Sequence, residues 1–464
     1  MTSVLQETPP TSLCADLVGL DARVPLLDGT AVRPTNLDHA ASTPALRTVQ
    51  ATVERFLAWY SSVHRGTGFA SQLSTRAYEE ARAVVGAFAG ARPGQHAVIF
   101  GANTTWALNK LARRIPFQPG DVVISSELEH HANDLPWRQV AQVVYVRADA
   151  RGRLDEDHYA TLLRRYAGRV RLVAITGGSN VTGVLPPVAH LAEQAHAAGA
   201  EIVVDCAQLA PHRPIDIGDL DDPAHLDYVA FSGHKLYAPF GCGVLVGRRD
   251  TFARGTPDAV GGGTVRSVSA EAVEWADAPA RDEAGTPNVV GAVALAAAAL
   301  ALQGIGLATI AAHEAALTAY ALRRLAAVPG LRLYGDCDPA RAAERLGVIS
   351  FALDGIDHRL AAAVLSYEHG IAVRAGAFCA HTYVRRLLDH SDAEAGCGAA
   401  GALGLVRISF GLASSNSDID RLIDGLEAVV RGAYQGDYRF DQHEGGYRPL
   451  GWQVRPEDYF SLQG

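Results

Sequence analysis

Short apolar runs, separated by stretches with helical character, dominate the sequence between residues 93 and 247. The runs are continuously apolar rather than alternating, which is typical of strands that helices cover on both faces of a mostly parallel sheet. Six such runs occur, at residues 96–100, 122–125, 170–176, 202–205, 228–232 and 243–247. Their alternation with helical stretches predicts βαβ units, in which ligands bind beyond the carboxyl ends of the strands.

A different pattern follows an Ala-rich helical stretch at residues 289–302. A helical segment at 313–327 precedes apolar runs at 348–353, 371–373 and 405–410, and a last amphipathic helix begins near Ser417. This mixture predicts a smaller α+β domain. The end of the chain loses periodicity but is rich in Tyr, Trp and Phe, so we expect it to pack on the body or on a partner subunit.

These patterns together predict an α/β protein of four parts. An N-terminal extension spans residues 1–35, and a large domain spans residues 36–300, with its first residues near the small domain. The small C-terminal domain spans residues 301–431, and an aromatic-rich tail spans residues 432–464.

Composition and charge narrow the classes of partner. The chain has 464 residues, of which 48% are hydrophobic and 20% are charged, and its net charge is -9. An acidic chain lacks the electrostatic attraction that draws basic proteins to nucleic acids and anionic membranes. Residues 1–23 lack the basic start and apolar stretch of a secretion signal, and the longest apolar run is too short for a membrane span. We therefore expect a cytoplasmic protein that acts on a small molecule.

The sequence predicts no metal centre. Its six cysteines are far apart and form no Cys-x-x-Cys pair, so neither a zinc site nor a disulfide framework is expected. Cys206 and Cys242 lie in apolar segments and are predicted to be small core residues. His130 and His131 are adjacent, but adjacent side chains rarely converge on one ion, and no third ligand has suitable spacing.

Lys235 ends the segment Ser232-Gly233-His234-Lys235, directly after the predicted strand at 228–232. A buried lysine is costly unless it is paired or reactive, and forming a Schiff base with an aldehyde cofactor is one such reaction. The segment therefore makes Lys235 a candidate anchor for pyridoxal 5'-phosphate (PLP). On these residues alone, a surface lysine after an edge strand is an equal alternative.

Other strand ends offer the remaining parts of a PLP site. Asp205 closes a predicted strand, where a carboxylate would keep the cofactor's pyridine nitrogen protonated; a helix cap or turn residue is the alternative. Thr104 and Thr105 open a helix after a strand, which favours an anion site, although a plain capping turn fits the same pattern. The imidazole of His130 suits stacking on a cofactor ring and proton exchange with a substrate.

Six motifs follow one another along the chain. They are Asn103-Thr104-Thr105, Glu129-His130-His131, Ser179-Asn180-Val181-Thr182-Gly183, Asp205-Cys206-Ala207-Gln208, Ser232-Gly233-His234-Lys235 and Ala284-Gly285-Thr286-Pro287-Asn288. In this order they resemble the class V aminotransferase family, and more closely its cysteine desulfurase and selenocysteine lyase branch. The resemblance runs from about residue 37 to the last helix. It implies PLP fold type I, with a mostly parallel seven-stranded sheet in the large domain and a smaller α+β C-terminal domain.

The resemblance also implies how the cofactor ring is held. Lys235 carries PLP covalently, and Asp205 pairs with the pyridine nitrogen. His130 stacks on the ring, Gln208 hydrogen-bonds the ring hydroxyl, and Asn180 lies beside the cofactor.

The same resemblance assigns the cofactor's phosphate to two subunits. Thr104, Thr105, Ser232 and His234 bind it within one chain, and Thr286 reaches the cofactor of the other subunit. A homodimer with its active site at the interface is therefore expected.

The substrate is expected to be a small amino acid, and its carboxylate is held by Asn180 and Arg407, whose guanidinium suits that group. The segment Arg374-Ala375-Gly376-Ala377-Phe378-Cys379 matches in spacing the family segment that ends in a persulfide-forming cysteine. There Cys379 would accept sulfur, with Arg374 nearby to stabilise its thiolate. An unreactive loop cysteine is the alternative, and Ala377 and Phe378 depart from the polar residues usual at these positions.

The leading prediction is therefore a PLP-dependent, cysteine desulfurase-like enzyme that cleaves a C–S bond in cysteine or a cysteine-derived substrate. Attack by Cys379 yields alanine and a persulfide for a sulfur-acceptor protein, whereas β-elimination yields pyruvate, ammonia and a thiol or sulfide. Epimerisation and transamination occur in the same family and stay open. A non-catalytic sulfur-relay scaffold is the alternative from another class.

Overall fold

The structure, a computed structural model, describes residues 12–13, 16–389 and 403–463. Cys14 and Cys397 lie outside the described residues. The first described elements are three short strands and two helices: β1 (Val24–Pro25), β2 (Ala31–Val32), β3 (Thr35–Asn36), α1 (Arg47–Leu57) and α2 (Phe69–Phe88). Strands β1 and β2 pair with each other in antiparallel orientation.

A seven-stranded sheet lies at the centre of the molecule. Its members, in chain order, are β4 (His96–Gly101), β5 (Val122–Ser126), β6 (Gln142–Val146), β7 (Val170–Thr176), β8 (Glu201–Asp205), β9 (Tyr228–Ser232) and β10 (Gly243–Arg248). In space they follow the order β4-β10-β9-β8-β7-β5-β6. Strands β5 to β9 pair in parallel, and β10 is antiparallel to both of its neighbours. The predicted mostly parallel seven-stranded sheet is confirmed.

The six apolar runs coincide with six of these strands, and the seventh strand, β6, escaped the pattern. It lies at the edge of the sheet, where it pairs with β5 alone, and only its last residue is buried. Residues 143–146 nevertheless form a short apolar run of β-branched and aromatic side chains, which favours a strand, so the sequence prediction missed a signal that was present.

Helices surround this sheet and connect its strands. They are α3 (Thr104–Arg114), α4 (Glu156–Arg165), α5 (Val188–Ala197), α6 (Arg249–Ala253) and α7 (Val289–Ile305), and a hairpin of β11 (Val265–Val268) and β12 (Val273–Trp275) precedes α7. Helix α3 follows β4 directly and is capped by the side chain of Asn103, which accepts a hydrogen bond from the Trp106 N–H at 2.9 Å. The Ala-rich α7 packs between α1 and α2.

A second sheet with its own apolar core follows. Its elements are α8 (Leu307–Ala326), β13 (Leu331–Tyr334), β14 (Val348–Leu353), α9 (His358–His369), β15 (Ile371–Ala372), β16 (Arg374–Gly376), α10 (His381–Leu387), β17 (Leu405–Ser409) and α11 (Asn416–Val430). Strands β13, β14, β17 and β16 form an antiparallel sheet in that order. Strand β3 pairs with β15, so residues 35–36 lie against this smaller unit. The exact domain boundaries stay a prediction.

The aromatic tail folds back on the small unit of the same chain. It forms a hairpin of β18 (Tyr438–Asp441) and β19 (Gly446–Pro449), which packs on α9. The carboxylate of Glu368 in α9 accepts hydrogen bonds from the Tyr438 hydroxyl and the Gly436 N–H, both at 2.9 Å. The rings of Tyr367 and Trp452 meet edge to face with centroids 5.0 Å apart.

Among the described residues, no single helix has the length and apolarity needed to cross a bilayer. Taken together, the consecutive helices α7 and α8 are long and apolar enough, but their axes bend by 74° at the break between them.

Candidate active site

A cavity of about 480 Å³ opens at the carboxyl edge of the central sheet, where ligands bind in sheets of this kind. Twelve of the residues singled out in the sequence line it: Thr104, Thr105, His130, Asn180, Asp205, Gln208, Ser232, His234, Lys235, Arg374, Cys379 and Arg407. Thr286 is the exception, because it is exposed in the loop before α7, outside this lining.

Lys235 and Asp205 enter the cavity from neighbouring strands. Lys235 ends a single 3-10 turn after β9, and Asp205 is the last residue of β8. Burial lowers the pKa of Lys235 to about 8, and the attraction of Asp205 limits the shift. Burial likewise raises the pKa of Asp205, against a hydrogen bond from the Ala207 N–H and the charge of Lys235. The site thus holds an amine that loses its proton near neutral pH, as a nucleophile requires.

The beginning of α3 forms a cradle for an anion. The Thr104 N–H donates to Oγ of Ser232 at 2.7 Å, and the two hydroxyl oxygens lie 2.6 Å apart. The first turn of a helix carries free N–H groups and a partial positive charge. Gly243 in β10 makes this approach feasible, since a Cβ there would lie 2.4 Å from Cα of Asn103.

Residues 40–43 hold the loop that carries His234 and Lys235 in place through hydrogen bonds. The carbonyl oxygen of His234 accepts hydrogen bonds from the Thr43 N–H at 2.8 Å and from Oγ of Ser42 at 3.1 Å. The side-chain amide of Gln208 donates to the carbonyl of Ala40 at 2.7 Å. Residues near position 40 therefore form part of the frame around the cavity.

His130 forms one wall as a neutral imidazole. Burial, reinforced by the charge of Lys235, lowers the pKa of His130 to about 4. Its Nδ1 accepts a hydrogen bond from the Ala132 N–H at 3.0 Å, so the ring proton resides on Nε2. A neutral, flat ring in this position suits stacking against an aromatic cofactor.

Glu129, next to His130, anchors this wall to the sheet. Its buried carboxyl accepts hydrogen bonds from the Thr176 N–H at 3.0 Å, from the Asn133 side chain at 2.7 Å and from the Ser126 hydroxyl. Burial raises the pKa of Glu129 to about 8. Glu129 belongs to the motif Glu129-His130-His131, and no function was predicted for it from the sequence.

Arg407 closes the opposite end of the cavity. It is 3% exposed, and its Nη1 donates to the carbonyl of Asn180 at 3.0 Å while Nη2 pairs with the carboxylate of Asp38 at 3.1 Å. The Phe378 ring lies 4.9 Å from the guanidinium. Its Nε–H is buried without a protein partner, which marks a donor position for a ligand.

Cys379 lies on a constrained turn in the cavity wall. Phe378 and Cys379 both adopt left-handed backbone angles, with φ of 53° and 54°. The carbonyl of Phe378 accepts from the Asn180 side chain at 2.8 Å, and that of Cys379 accepts from the His131 N–H at 2.7 Å. Such conformations cost energy in non-glycine residues and tend to occur at functional sites. The Cys379 side chain is exposed and faces the same cavity as Lys235.

The profile of the aminotransferase class-V family matches residues 35–422. The chain belongs to this family. A cysteine desulfurase of Haloferax volcanii is 36% identical over 403 residues, which cover 85% of this chain and 88% of that protein. A cysteine desulfurase of Dickeya dadantii is 39% identical over 407 residues, which cover 85% and 92% of the two chains.

Solved structures extend the likeness to the fold. The apo cysteine desulfurase of Thermococcus onnurineus superimposes with a TM-score of 0.76 at 31% identity, over 86% of this chain and 95% of that one. A cysteine desulfurase of Escherichia coli gives a TM-score of 0.72 at 31% identity, over 87% and 96%. PLP fold type I, predicted from the sequence motifs, is confirmed.

PLP is the cofactor of this family, and the cavity fits it. Lys235 is placed to bind it covalently, Asp205 lies in the next strand for its ring nitrogen, and the start of α3 offers donors for its phosphate. The family and cofactor predictions are confirmed. The roles of the individual residues stay predictions that this geometry supports.

Asp38 and Phe378 contact Arg407 without having been singled out as site residues. Asp38 stands in the segment Leu37-Asp38-His39-Ala40-Ala41, at the start of the family resemblance, and an acidic residue among apolar neighbours was the available signal. Its partner lies 369 positions away, so spacing alone does not reveal the pairing.

Proposed function

We propose that this chain is a PLP-dependent, cysteine desulfurase-like enzyme that cleaves the C–S bond of cysteine or a cysteine-derived substrate. The observation that carries the proposal is a single cavity that contains the amine of Lys235, the guanidinium of Arg407 and the thiol of Cys379. Identities of 36% and 39% to cysteine desulfurases support the same activity. Bound PLP supplies an electron sink for bond cleavage at the carbons next to the substrate's amino group.

Arg407 is the residue that binds the substrate carboxylate. Its buried guanidinium is fixed by Asn180 and Asp38, so little side-chain entropy is lost when an anion binds. The unpartnered Nε–H supplies a donor for that anion. This contact places the substrate's amino group toward Lys235 and leaves its side chain near Cys379.

Once its amine is no longer bonded to the cofactor, Lys235 transfers protons to and from the substrate. A pKa near 8 lets the same nitrogen accept a proton from the substrate's α-carbon and return one at physiological pH. His130, held neutral by burial, packs against the ring plane and excludes water from that face.

Cys379 accepts the sulfur. Its thiolate attacks the sulfur atom of the substrate, a new S–S bond forms, and the C–S bond breaks with its electron pair moving to the β-carbon. A proton then completes the methyl group of alanine, and the sulfur stays on Cys379 as a persulfide. Transfer of that sulfur to an acceptor protein restores the thiolate.

Product analysis tests this mechanism. With L-cysteine as substrate, we expect alanine and one protein-bound persulfide per site, and Cys379→Ala should abolish persulfide formation. Cys337→Ala is the matched control, because Cys337 is a half-buried thiol outside the cavity. Pyruvate and ammonia instead of alanine, with turnover unaffected by Cys379→Ala, would establish β-elimination.

We also propose that the chain acts as a homodimer and is cytoplasmic. Thr286 is exposed, and the neighbouring hairpin presents Val268 and Val273, which are 63% and 45% exposed. A second copy packed there would bury these apolar side chains and bring Thr286 to the partner's phosphate cradle. Sedimentation of the holoenzyme as a monomer would contradict the dimer, and cell fractionation tests the location.

A further inference from the structure

Two arginines face each other at the substrate end of the cavity. Arg374 in β16 and Arg407 in β17 are directly opposite in the register of the two strands, and both line the cavity. Like charges in opposite positions repel each other and destabilise a strand pair. The arrangement therefore needs an anion close by.

Asp38, which does not itself line the cavity, supplies that anion. Its Oδ1 lies 3.1 Å from Nη2 of Arg407, and its Oδ2 lies 3.1 Å from Nε of Arg374. One carboxylate thus joins both guanidiniums. Because each oxygen is used by a different arginine, the carboxylate also sets the angle between them.

The backbone around Asp38 is fixed to the small unit on both sides. The Leu37 N–H donates to the carbonyl of Ala372 at 2.9 Å, and the Ser409 N–H donates to the carbonyl of Leu37 at 2.7 Å. The Asp38 N–H donates to the side chain of Asn36 at 3.0 Å. A carboxylate on such a fixed backbone is suited to holding other groups in place.

Counted without the thiol of Cys379, the two arginines and Asp38 at this end of the cavity add to one positive charge. Arg374 and Arg407 contribute two positive charges, and Asp38 offsets one of them. The other charged groups in the lining, Lys235 and Asp205, lie at the carboxyl ends of adjacent strands and attract each other. One positive charge matches a ligand with one carboxylate.

We propose that Asp38 is a positioning and specificity-determining residue, which orients both arginines and restricts the site to amino acids with a single negative charge. The inference rests on the proposed function, because it assumes an amino-acid substrate held by Arg407. A side chain with a second carboxylate would need Arg374, which Asp38 already engages. Neutralising Asp38 would free Arg374 for that second anion.

The test measures binding rather than turnover. Holoenzyme is titrated with L-alanine, which carries one carboxylate, and with L-aspartate, which carries two, and the absorbance of the bound cofactor gives each dissociation constant. In Asp38→Asn we expect the ratio of the two affinities to shift toward L-aspartate by about tenfold, since the local charge rises from one to two. A purely structural defect would weaken both ligands together.

Three further variants sharpen the result. Asp38→Asn combined with Arg374→Gln restores one net charge and should return the ratio toward the wild-type value. Asp38→Glu keeps the charge and should stay near wild type. Asp336→Asn is the matched control, because Asp336 also pairs with two arginines, Arg153 at 2.6 Å and Arg341 at 3.7 Å, away from this cavity.

An unchanged ratio in Asp38→Asn, with both amino acids still bound, would overturn the inference and leave the proposed function intact. Failure of the wild type to bind either amino acid would overturn the proposed function itself. If Asp38→Asn does not fold, Arg374→Gln alone decides the question. Lowering the net charge to zero should shift the ratio toward L-alanine, and an unchanged ratio would refute the role of these charges.

Discussion

Lys110 and Lys235 are the two lysines of the sequence, and they lie in very different surroundings. Lys110, in α3, is 1% exposed, and its Nζ pairs with Asp258 and, at 3.5 Å, with Asp282. Lys235 lies in the cavity, and within the described part of the chain no carboxylate comes within ion-pair distance of its Nζ.

The difference shows how one residue type serves two purposes. The ion pairs of Lys110 link α3 to the loop before β11. Burial without such a pair lowers the pKa of Lys235 to about 8 and produces a nucleophile. Pairing, rather than burial alone, therefore separates the structural lysine from the reactive one.

Lys235→Ala should give the largest effect. We expect loss of the covalent cofactor and a fall in turnover of about 10²–10⁴-fold, because a positioned base contributes that much. The absorbance of the bound cofactor measures the first effect, and the rate of alanine release measures the second. Borohydride reduction followed by peptide mapping should mark Lys235 in the wild type, and label on Lys110 would refute the assignment.

Lys110→Met should affect stability instead of chemistry. Asp282 keeps Arg114 at 3.0 Å, and Asp258 keeps only Arg113 at 4.0 Å, so we expect the free energy of unfolding to fall by about 3 kcal/mol, the lower end for a broken buried ion pair. Urea titration of the first unfolding transition measures the change in the free energy of unfolding. Cofactor absorbance per folded molecule should equal that of the wild type; its loss would mean that the two lysine sites are coupled.

Asp205→Asn should weaken the reactive site without unfolding it. The amide retains an acceptor for the Ala207 N–H but loses the charge that we expect to pair with the cofactor's ring nitrogen. Charge-assisted hydrogen bonds contribute about 1.5–3 kcal/mol, which corresponds to a tenfold to roughly hundredfold loss of turnover. Steady-state alanine release measures this loss, and unchanged turnover would contradict the pairing.

The smallest effect that we expect is the pH dependence of two properties of the cofactor-free protein, its free energy of unfolding and its rate of PLP binding. Burial lowers the pKa of Lys235 to about 8, below its ordinary value of 10.5. Between these values the unfolded chain binds more protons than the folded chain, so the free energy of unfolding should rise with pH across this window. The rate of PLP binding should rise through pH 8 as well. Lys235→Ala should remove both dependences, and a rate that is flat between pH 7 and pH 9 would contradict the shifted pKa.

Much of the fold followed from local pattern. The predicted strand at 228–232 coincides with β9, and the last helix begins one residue before Ser417 because Ser415 caps it together with Asp418. The helix expected at 313–327 begins earlier, at Leu307, since Gly306 with φ of 91° separates it from α7. The edge strand β6 was missed although residues 143–146 form a short apolar run.

The sequence by itself determined which residues stand at the ends of the central strands. These residues include Lys235, Asp205 and the start of α3. Apolar runs and turns are local, and parallel strands bring their carboxyl ends to one edge. The family resemblance predicted Cys379 at the site with an unreactive loop cysteine as the alternative, and only the tertiary structure brought it into the same cavity and joined Asp38 to Arg374 and Arg407. Those contacts join residues more than 140 positions apart, so they depend on how the two sheets pack rather than on any local pattern.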